Sequence, residues 1–120
     1  GTVGAEILAR TGGAIPVGGL RETIVHGVVL FAGDAAGLTH PITGAGIAPA
    51  VVSGELAGAA AARATPLEYA EEIRDQFAAS LARAVARRRW LAARWRTPEA
   101  RRDAMHRRGW IAFHDYMEED

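Results

Sequence analysis

The stretch that decides the fold is FAGDAAGLTHPITGAGI, from Phe31 to Ile47. A short apolar run, Val28 to Ala32, leads into it, and an Ala-rich segment follows. Asp34 is the only acid between Glu22 and Glu55, and its neighbours Gly33, Ala35, Ala36 and Gly37 carry almost no side chain. The run Val28–Ala32 is continuous rather than alternating, which predicts a short strand covered on both faces. In a parallel α/β sheet, ligands bind beyond the carboxyl ends of strands, and Asp34 falls at such an end. A carboxylate there accepts hydrogen bonds from a sugar or polyol hydroxyl, while the small neighbours let a flat ligand approach the backbone. Gly44 and Gly46 then open a helix. Its first N–H groups have no intrahelical partner and, with the helix dipole, favour an anion or a polarised carbonyl. A ligand joining a polyol chain to an electron-poor ring uses both features. The competing reading is an aspartate that caps the turn after a strand, with glycines serving turn geometry. That is the better reading of an isolated Gly-Asp pair, and the whole spaced set tips the balance toward a site. Gly44 to Pro49 reads GAGIAP rather than GxGxxG and does not directly follow a strand, so it is not a dinucleotide fingerprint.

Upstream, TGGAIPVGG (Thr11 to Gly19) places two Gly pairs around Ala-Ile-Pro-Val. Pro16 excludes a central ladder position, so the segment reads as extended chain crossing between two structural units. Thr2 to Leu8 is a candidate strand. Downstream, a helix is expected from Gly44 to about Arg63. Ile47, Val51 and Leu56 are its larger side chains, and its small residues would let it lie close to a sheet. TPLE (Thr65 to Glu68) reads as a capping box with Pro at the first helical position. Leu67, Ile73, Phe77, Leu81 and Val85 then form the apolar face of a second helix, to about Trp95. TPEA (Thr97 to Ala100) repeats the Thr-Pro start for a third helix, and the acidic end HDYMEED is expected to fray. These elements divide the chain into residues 1–20, 21–63 and 64–120.

The 120 residues amount to about one small domain. Fourteen basic and fourteen acidic residues balance to zero net charge, which argues against a nucleic-acid binder. Every basic residue is Arg. With no Cys there is no disulfide framework, thiolate metal site or Cys nucleophile. This balance fits a cytosolic chain. His26, His40, His106 and His114 show no paired ligand spacing. No signal-peptide pattern or membrane-length apolar run is present.

GVVLFAGDAAGLTHPITGAGIAPAVVSGELAG resembles the second flavin-binding motif of FAD-dependent oxidoreductases of the geranylgeranyl reductase family. Their wider relatives are the aromatic-hydroxylase-type flavoprotein monooxygenases. GGAIPVGG resembles the segment that precedes this motif in the reductases, and together the match covers Gly12 to Gly58. Hydroxylases often carry His after the two alanines of GDAA, where this chain has Gly37, which leans toward the reductases. The resemblance implies an α/β fold class: the C-terminal fragment of an FAD/NAD(P)-binding Rossmann-like flavoprotein, a short strand-turn-helix followed by a helical C-terminal extension. Residues 1–20 would end a substrate domain and cross over, 21–63 would close the FAD-binding domain, and 64–120 would be the helical C-terminal region.

The resemblance also implies roles. Asp34 would hold a ribityl hydroxyl of FAD, with Gly33 giving the backbone room. Pro41 would shape the loop beside the isoalloxazine. Gly44, Ala45, Gly46 and Ile47 would present helix-start amides to the pyrimidine edge. The family chemistry is reduction of isoprenoid double bonds. The N-terminal βαβ unit with GxGxxG that binds the ADP half is absent from these residues, so the chain alone is expected to be inactive. Its implied partners are FAD, an N-terminal flavin-binding half, an isoprenoid lipid substrate and a membrane surface. Two alternatives stand beside this reading: a fragment of an FAD-dependent monooxygenase, and a truncated, non-catalytic helical interaction module.

The remaining constellations are weaker. Ten arginines from Arg83 to Arg108 interleave with Trp90, Trp95 and Trp110. They suit acidic headgroups or a prenyl diphosphate, but a solvated helix face with packed Trp is the simpler reading. His40 is expected to have a polar role within its loop, and His106 and His114 to lie on the surface. Ser53 has no His/Asp set, so nucleophilic catalysis is not supported.

Overall fold

The computed structural model describes residues 4–99, 101–102, 109–111 and 114–118. Two short strands, β1 (Val25–His26) and β2 (Val29–Leu30), pair antiparallel with Val25 opposite Leu30 and His26 opposite Val29. A 3₁₀ turn, Gly33–Ala36, carries the chain toward two long helices, α1 (Ile47–Arg63) and α2 (Pro66–Arg94). The described residues thus make a small helix-rich unit with a two-stranded sheet.

The expected buried strand is corrected to a hairpin. Gly27 has φ +60° and Val28 does not share a positive φ, the pattern of a two-residue turn with Gly first. Val28 sits at its tip, 97% exposed, so the apolar run is not covered on both faces. Asp34 accordingly lies in the 3₁₀ turn after an antiparallel pair, not at the end of a parallel strand. No parallel sheet occurs among the described residues. Of the candidate strand at Thr2–Leu8, residues 2–3 lie outside the described residues. Residues 4–8 form no strand, because no neighbouring backbone pairs with them.

The two helices follow their sequence signals closely. The chain turns from α1 into α2 at Ala64, in the left-handed region at φ +55°, with Pro66 at the first position of α2. The capping box does not form: Thr65 makes no side-chain cap bond, and its buried Oγ1 has no partner among the described residues. Tyr69, Ala70, Ile73, Leu81, Ala84 and Leu91 face inward along α2, with Phe77 and Val85 half-buried. Leu67, expected on that face, is exposed in the first turn. On α1 the inward face is the small one: Ser53 and Ala60 are buried, with Leu56 and Ala57 packed against the core. Ile47 and Val51 point the other way, Ile47 at 85% exposure. The core joins Ile24, Ala36 and Leu38 to Ala60, Tyr69, Ala70, Ile73 and Leu81.

After Trp95 the chain turns, and Pro98, Glu99, Arg101 and Arg102 are helical; the rest of the third helix lies outside the described residues. Of the acidic end, expected to fray, the described residues 114–118 are docked, and residues 119–120 lie outside the described residues. Tyr116 is buried, and Arg87, only 4% exposed, donates from Nε to the Tyr116 carbonyl at 3.2 Å and from Nη2 to that of Glu118. Arg94 stacks over Trp90 and Arg101 over Trp95. These arginines make intramolecular contacts, and the arrangement offers no support for a membrane surface as partner. Among the described residues no helix is long and apolar enough to cross a membrane.

Candidate functional site

The turn that carries Asp34 is fixed from three sides. The Gly33 amide donates to Ser53 Oγ at 2.9 Å, and that hydroxyl donates on to the Ala50 carbonyl, so a fully buried serine ties the turn to α1. Gly33 has φ +54°, and a Cβ there would stand 3.2 Å from Ala50 Cβ. Gly37 closes the turn at φ +76°, where a Cβ would lie 2.2 Å from the Gly19 carbonyl oxygen. The Arg21 amide donates to the Ala36 carbonyl beside it at 3.0 Å. The Gly-Gly segment and the GDAAG turn, far apart in sequence, are therefore in direct backbone contact.

Within this frame the Asp34 carboxylate faces outward and accepts a hydrogen bond at Oδ1 from Thr39 Oγ1. Thr39 itself is buried. Across from the pair stands the start of α1. A Cβ on Gly46 would sit 3.2 Å from both Asp34 Oδ1 and Thr39 Oγ1, so glycine leaves open the space in front of the carboxylate. Ile15, Asp34, Thr39, Gly44, Gly46, Ile47 and Ala50 line a pocket of about 340 Å³. That is within the range of small-molecule sites.

The loop from His40 to Ala45 braces this pocket. The His40 amide donates to the Ala45 carbonyl at 2.8 Å, and the Gly44 amide to the His40 carbonyl at 2.9 Å. The Ala45 amide donates to Thr43 Oγ1 at 3.2 Å. Pro41 is fully buried, and its carbonyl accepts from Arg88 Nη1 at 2.9 Å. Of the seven positions singled out from sequence, Asp34, Gly44, Gly46 and Ile47 meet on the pocket wall. Gly33, Pro41 and Ala45 stand behind it as support. The amides of Gly44 and Ala45 are used within the loop, which leaves those of Gly46, Ile47 and Ala48 at the start of α1; Pro49 has no N–H. Sequence reasoning missed Thr39, Ser53, Ile15 and Ala50. Only Thr39, a hydroxyl five residues beyond Asp34 in a loop, carried a local signal for its role.

His40 shapes its loop through Nδ1, which accepts from the amides of Ile42 at 3.3 Å and Thr43 at 3.2 Å. Those bonds put the neutral ring's proton on Nε2, which is buried without a partner among the described residues. Burial lowers the His40 pKa below 6.5. Above that value the ring is neutral in both states. As pH falls through it, the unfolded chain binds the proton first, so stability declines until the folded ring is also protonated. Proton uptake at Nδ1 also removes the acceptor of both amides. Urea midpoints measured from about pH 8 to about pH 5 are therefore expected to fall more steeply in the wild type than in His40→Asn. Equal slopes would exclude this role.

No family model and no solved structure matches the chain. Curated proteins do. The chain is 38% identical over 78 residues to digeranylgeranylglycerophospholipid reductase 3 of Methanosphaera stadtmanae, covering 64% of this chain and 20% of that protein. It is 40% identical over 78 residues to the digeranylgeranylglycerophospholipid reductase of Methanosarcina acetivorans, covering 60% of this chain and 19% of the relative. Against digeranylgeranylglycerophospholipid reductase 2 of Methanococcoides burtonii the identity is 44% over 61 residues, covering 50% and 15%. The chain thus spans about a fifth or less of the length of these relatives. Taken with the motifs of Gly12 to Gly58, these similarities make the chain a relative of the geranylgeranyl reductase family.

Proposed function

We propose that this chain is the C-terminal portion of an FAD-dependent oxidoreductase of the geranylgeranyl reductase type, acting on isoprenoid C=C bonds, and that it holds the ribityl and pyrimidine side of the flavin. On this reading residues 1–20 end a substrate domain and cross over, 21–63 close a Rossmann-like FAD-binding domain, and 64–120 are its helical C-terminal region. The observation that carries the proposal is the Asp34–Thr39 pair facing the glycine-opened start of α1 across one pocket.

The residues fit the group. Thr39 occupies Oδ1 of Asp34, which orients the carboxylate and leaves Oδ2 to accept from a polyol hydroxyl. Gly46 keeps clear the space that any side chain would fill. The start of α1 supplies amides and a positive dipole end suited to a ring carbonyl on which negative charge accumulates. Bound flavin would supply hydride transfer, and the protein's part is to hold and polarise it.

Asp34→Ala, made in the protein that joins this chain to an ADP-binding half, removes a charged acceptor and leaves a hydroxyl unpaired. Hydrogen bonds to charged groups contribute roughly 1.5–3 kcal/mol, so FAD affinity is expected to fall about ten- to a hundred-fold. Asp34→Asn retains an acceptor oxygen and is expected to lose less. The check is FAD affinity measured beside the apo-protein melting temperature for wild type and both variants. Unchanged affinity in Asp34→Ala, or a loss matched by lower apo stability, would leave Asp34 as a turn residue only.

A further inference from the structure

The loop from His40 to Ala45 spends its amides on itself. Those of His40 and Gly44 bond across it to the Ala45 and His40 carbonyls, those of Ile42 and Thr43 go to His40 Nδ1, and that of Ala45 goes to Thr43 Oγ1. These bonds fix the shape of the loop but not its place on the molecule. Pro41 has no N–H, so its carbonyl is its one backbone polar group. That carbonyl reaches out of the loop and accepts from Nη1 of Arg88, 47 residues on, at 2.9 Å. Pro41 is fully buried, and a carbonyl left there without a partner would be costly. Helix spacing explains which residue supplies the donor. Arg88 stands four residues after Ala84 and three before Leu91, both on the buried face of α2, so its long side chain reaches the loop from an exposed flank of that face.

We propose that Arg88 is a positioning residue for the flavin: from α2 it holds the His40–Ala45 loop, through the Pro41 carbonyl, where the Asp34 pocket needs its wall. Arg88 does not line that pocket, so it acts through the loop and not by contact with the ligand. Thr39 and Gly44, on either side of the tether, do line it. The Gly44 amide is bonded to the carbonyl of His40, next to Pro41, so a shift of Pro41 carries the Gly44 wall with it. With the tether in place the wall is ordered before the ligand arrives, and binding is spared that ordering cost. The inference rests on the cofactor reading and adds to it a residue of α2 outside the flavin motif.

The test uses the protein that joins this chain to an ADP-binding half. FAD affinity is measured well below each variant's apo melting temperature, where lost global stability does not change it. Arg88→Met keeps the apolar stem and removes the donors, and FAD affinity is expected to fall roughly three- to tenfold. Amide hydrogen exchange at residues 42–45 without FAD is expected to quicken roughly tenfold. The Pro41 bond uses a single N–H, so Arg88→Lys, which keeps a charged donor, is expected to restore affinity to within about threefold of wild type. Arg89→Met removes the same charge one residue along α2, leaves the tether, and is expected to bind FAD as wild type does. Unchanged affinity in Arg88→Met beside a loss in Asp34→Ala overturns this inference alone. Unchanged affinity in both removes the cofactor reading and this inference with it. An Arg88→Met loss that Arg88→Lys does not restore, that Arg89→Met reproduces, or that comes without faster exchange in the loop also overturns it.

Discussion

Gly37→Ala is expected to destabilise the fold by roughly 2–5 kcal/mol. Two costs add. A non-glycine residue in the left-handed region costs about 1–2 kcal/mol, and Gly37 sits there at φ +76°. The new methyl would also lie 2.2 Å from the Gly19 carbonyl oxygen and 3.2 Å from the Arg21 amide nitrogen. Both neighbours are backbone, so no rotamer relieves the overlap, and overpacking of this kind costs about 1–3 kcal/mol. The total is a large fraction of a typical domain's 5–15 kcal/mol. Gly54→Ala is the control of opposite sign. Gly54 lies inside α1 with nothing within 4 Å of its Cβ position, so alanine there should stabilise by roughly 0.5–1 kcal/mol. Urea unfolding of both variants against wild type checks the pair. A Gly37→Ala midpoint within error of wild type would mean that the Gly19–Gly37 contact does not exist.

That contact gives a physical reason for two glycine motifs to occur in one chain. Gly19 reaches Gly37 because Gly37 carries no side chain at the crossing, whereas a Cβ on Gly19 would meet Val85 Cγ2 at 2.8 Å, and the Arg21–Ala36 hydrogen bond fixes the register there. The Asp34 turn then has the Gly18–Arg21 strap on one side and Ser53 of α1 on the other. The site geometry rests on this backbone packing as much as on the residues that line the pocket.

The helices were legible because their signals are local. Pro66 marks the start of α2 by chemistry that acts within one turn, and an apolar face recurs at helical spacing through Ile73, Phe77 and Leu81. The hairpin was not legible from the apolar run alone. A continuous stretch such as Val28–Ala32 does not reveal a turn, and the signal was the preceding Gly27, which opens the turn with its positive φ. The small residues of α1, expected to let it lie close to a sheet, instead face the Gly33 turn, where Gly33 and Ser53 approach closely, while Ile47 and Val51 point outward. The docked end was invisible because Arg87 and Tyr116 are 29 residues apart and neither pattern announces the other. For the candidate site, Asp34 and the glycines opening α1 were readable from spacing. Thr39 and Ser53 act through contacts that exist only once the turn is folded against α1.

Tyr69→Ala is expected to destabilise by about 3–5 kcal/mol, the range for removing a large buried aromatic side chain. Tyr69 is 2% exposed, packs in the core beside Ile24, Leu38 and Ile73, and donates its hydroxyl to the Phe31 carbonyl. Phe31 lies two residues before the Asp34 turn, so this one side chain fastens α2 to the chain that enters the site. Tyr69→Phe separates the two contributions. It retains the ring and removes only the donor, which leaves the Phe31 carbonyl short of a partner and should cost about 1–3 kcal/mol. The same burial raises the Tyr69 pKa above 10. The unfolded chain therefore loses this proton first as pH rises past that value, and stability that is complete below about 10 is lost as the folded tyrosine is approached. Tyr69→Phe should remove that part of the alkaline loss and leave the contribution of the buried Tyr116, whose pKa is also raised by burial. Denaturation midpoints for wild type, Tyr69→Phe and Tyr69→Ala, at neutral pH and on the alkaline side, measure both effects. If Tyr69→Phe matched Tyr69→Ala, the hydroxyl rather than the ring would hold α2 to the site, and the packing account of this core would fail.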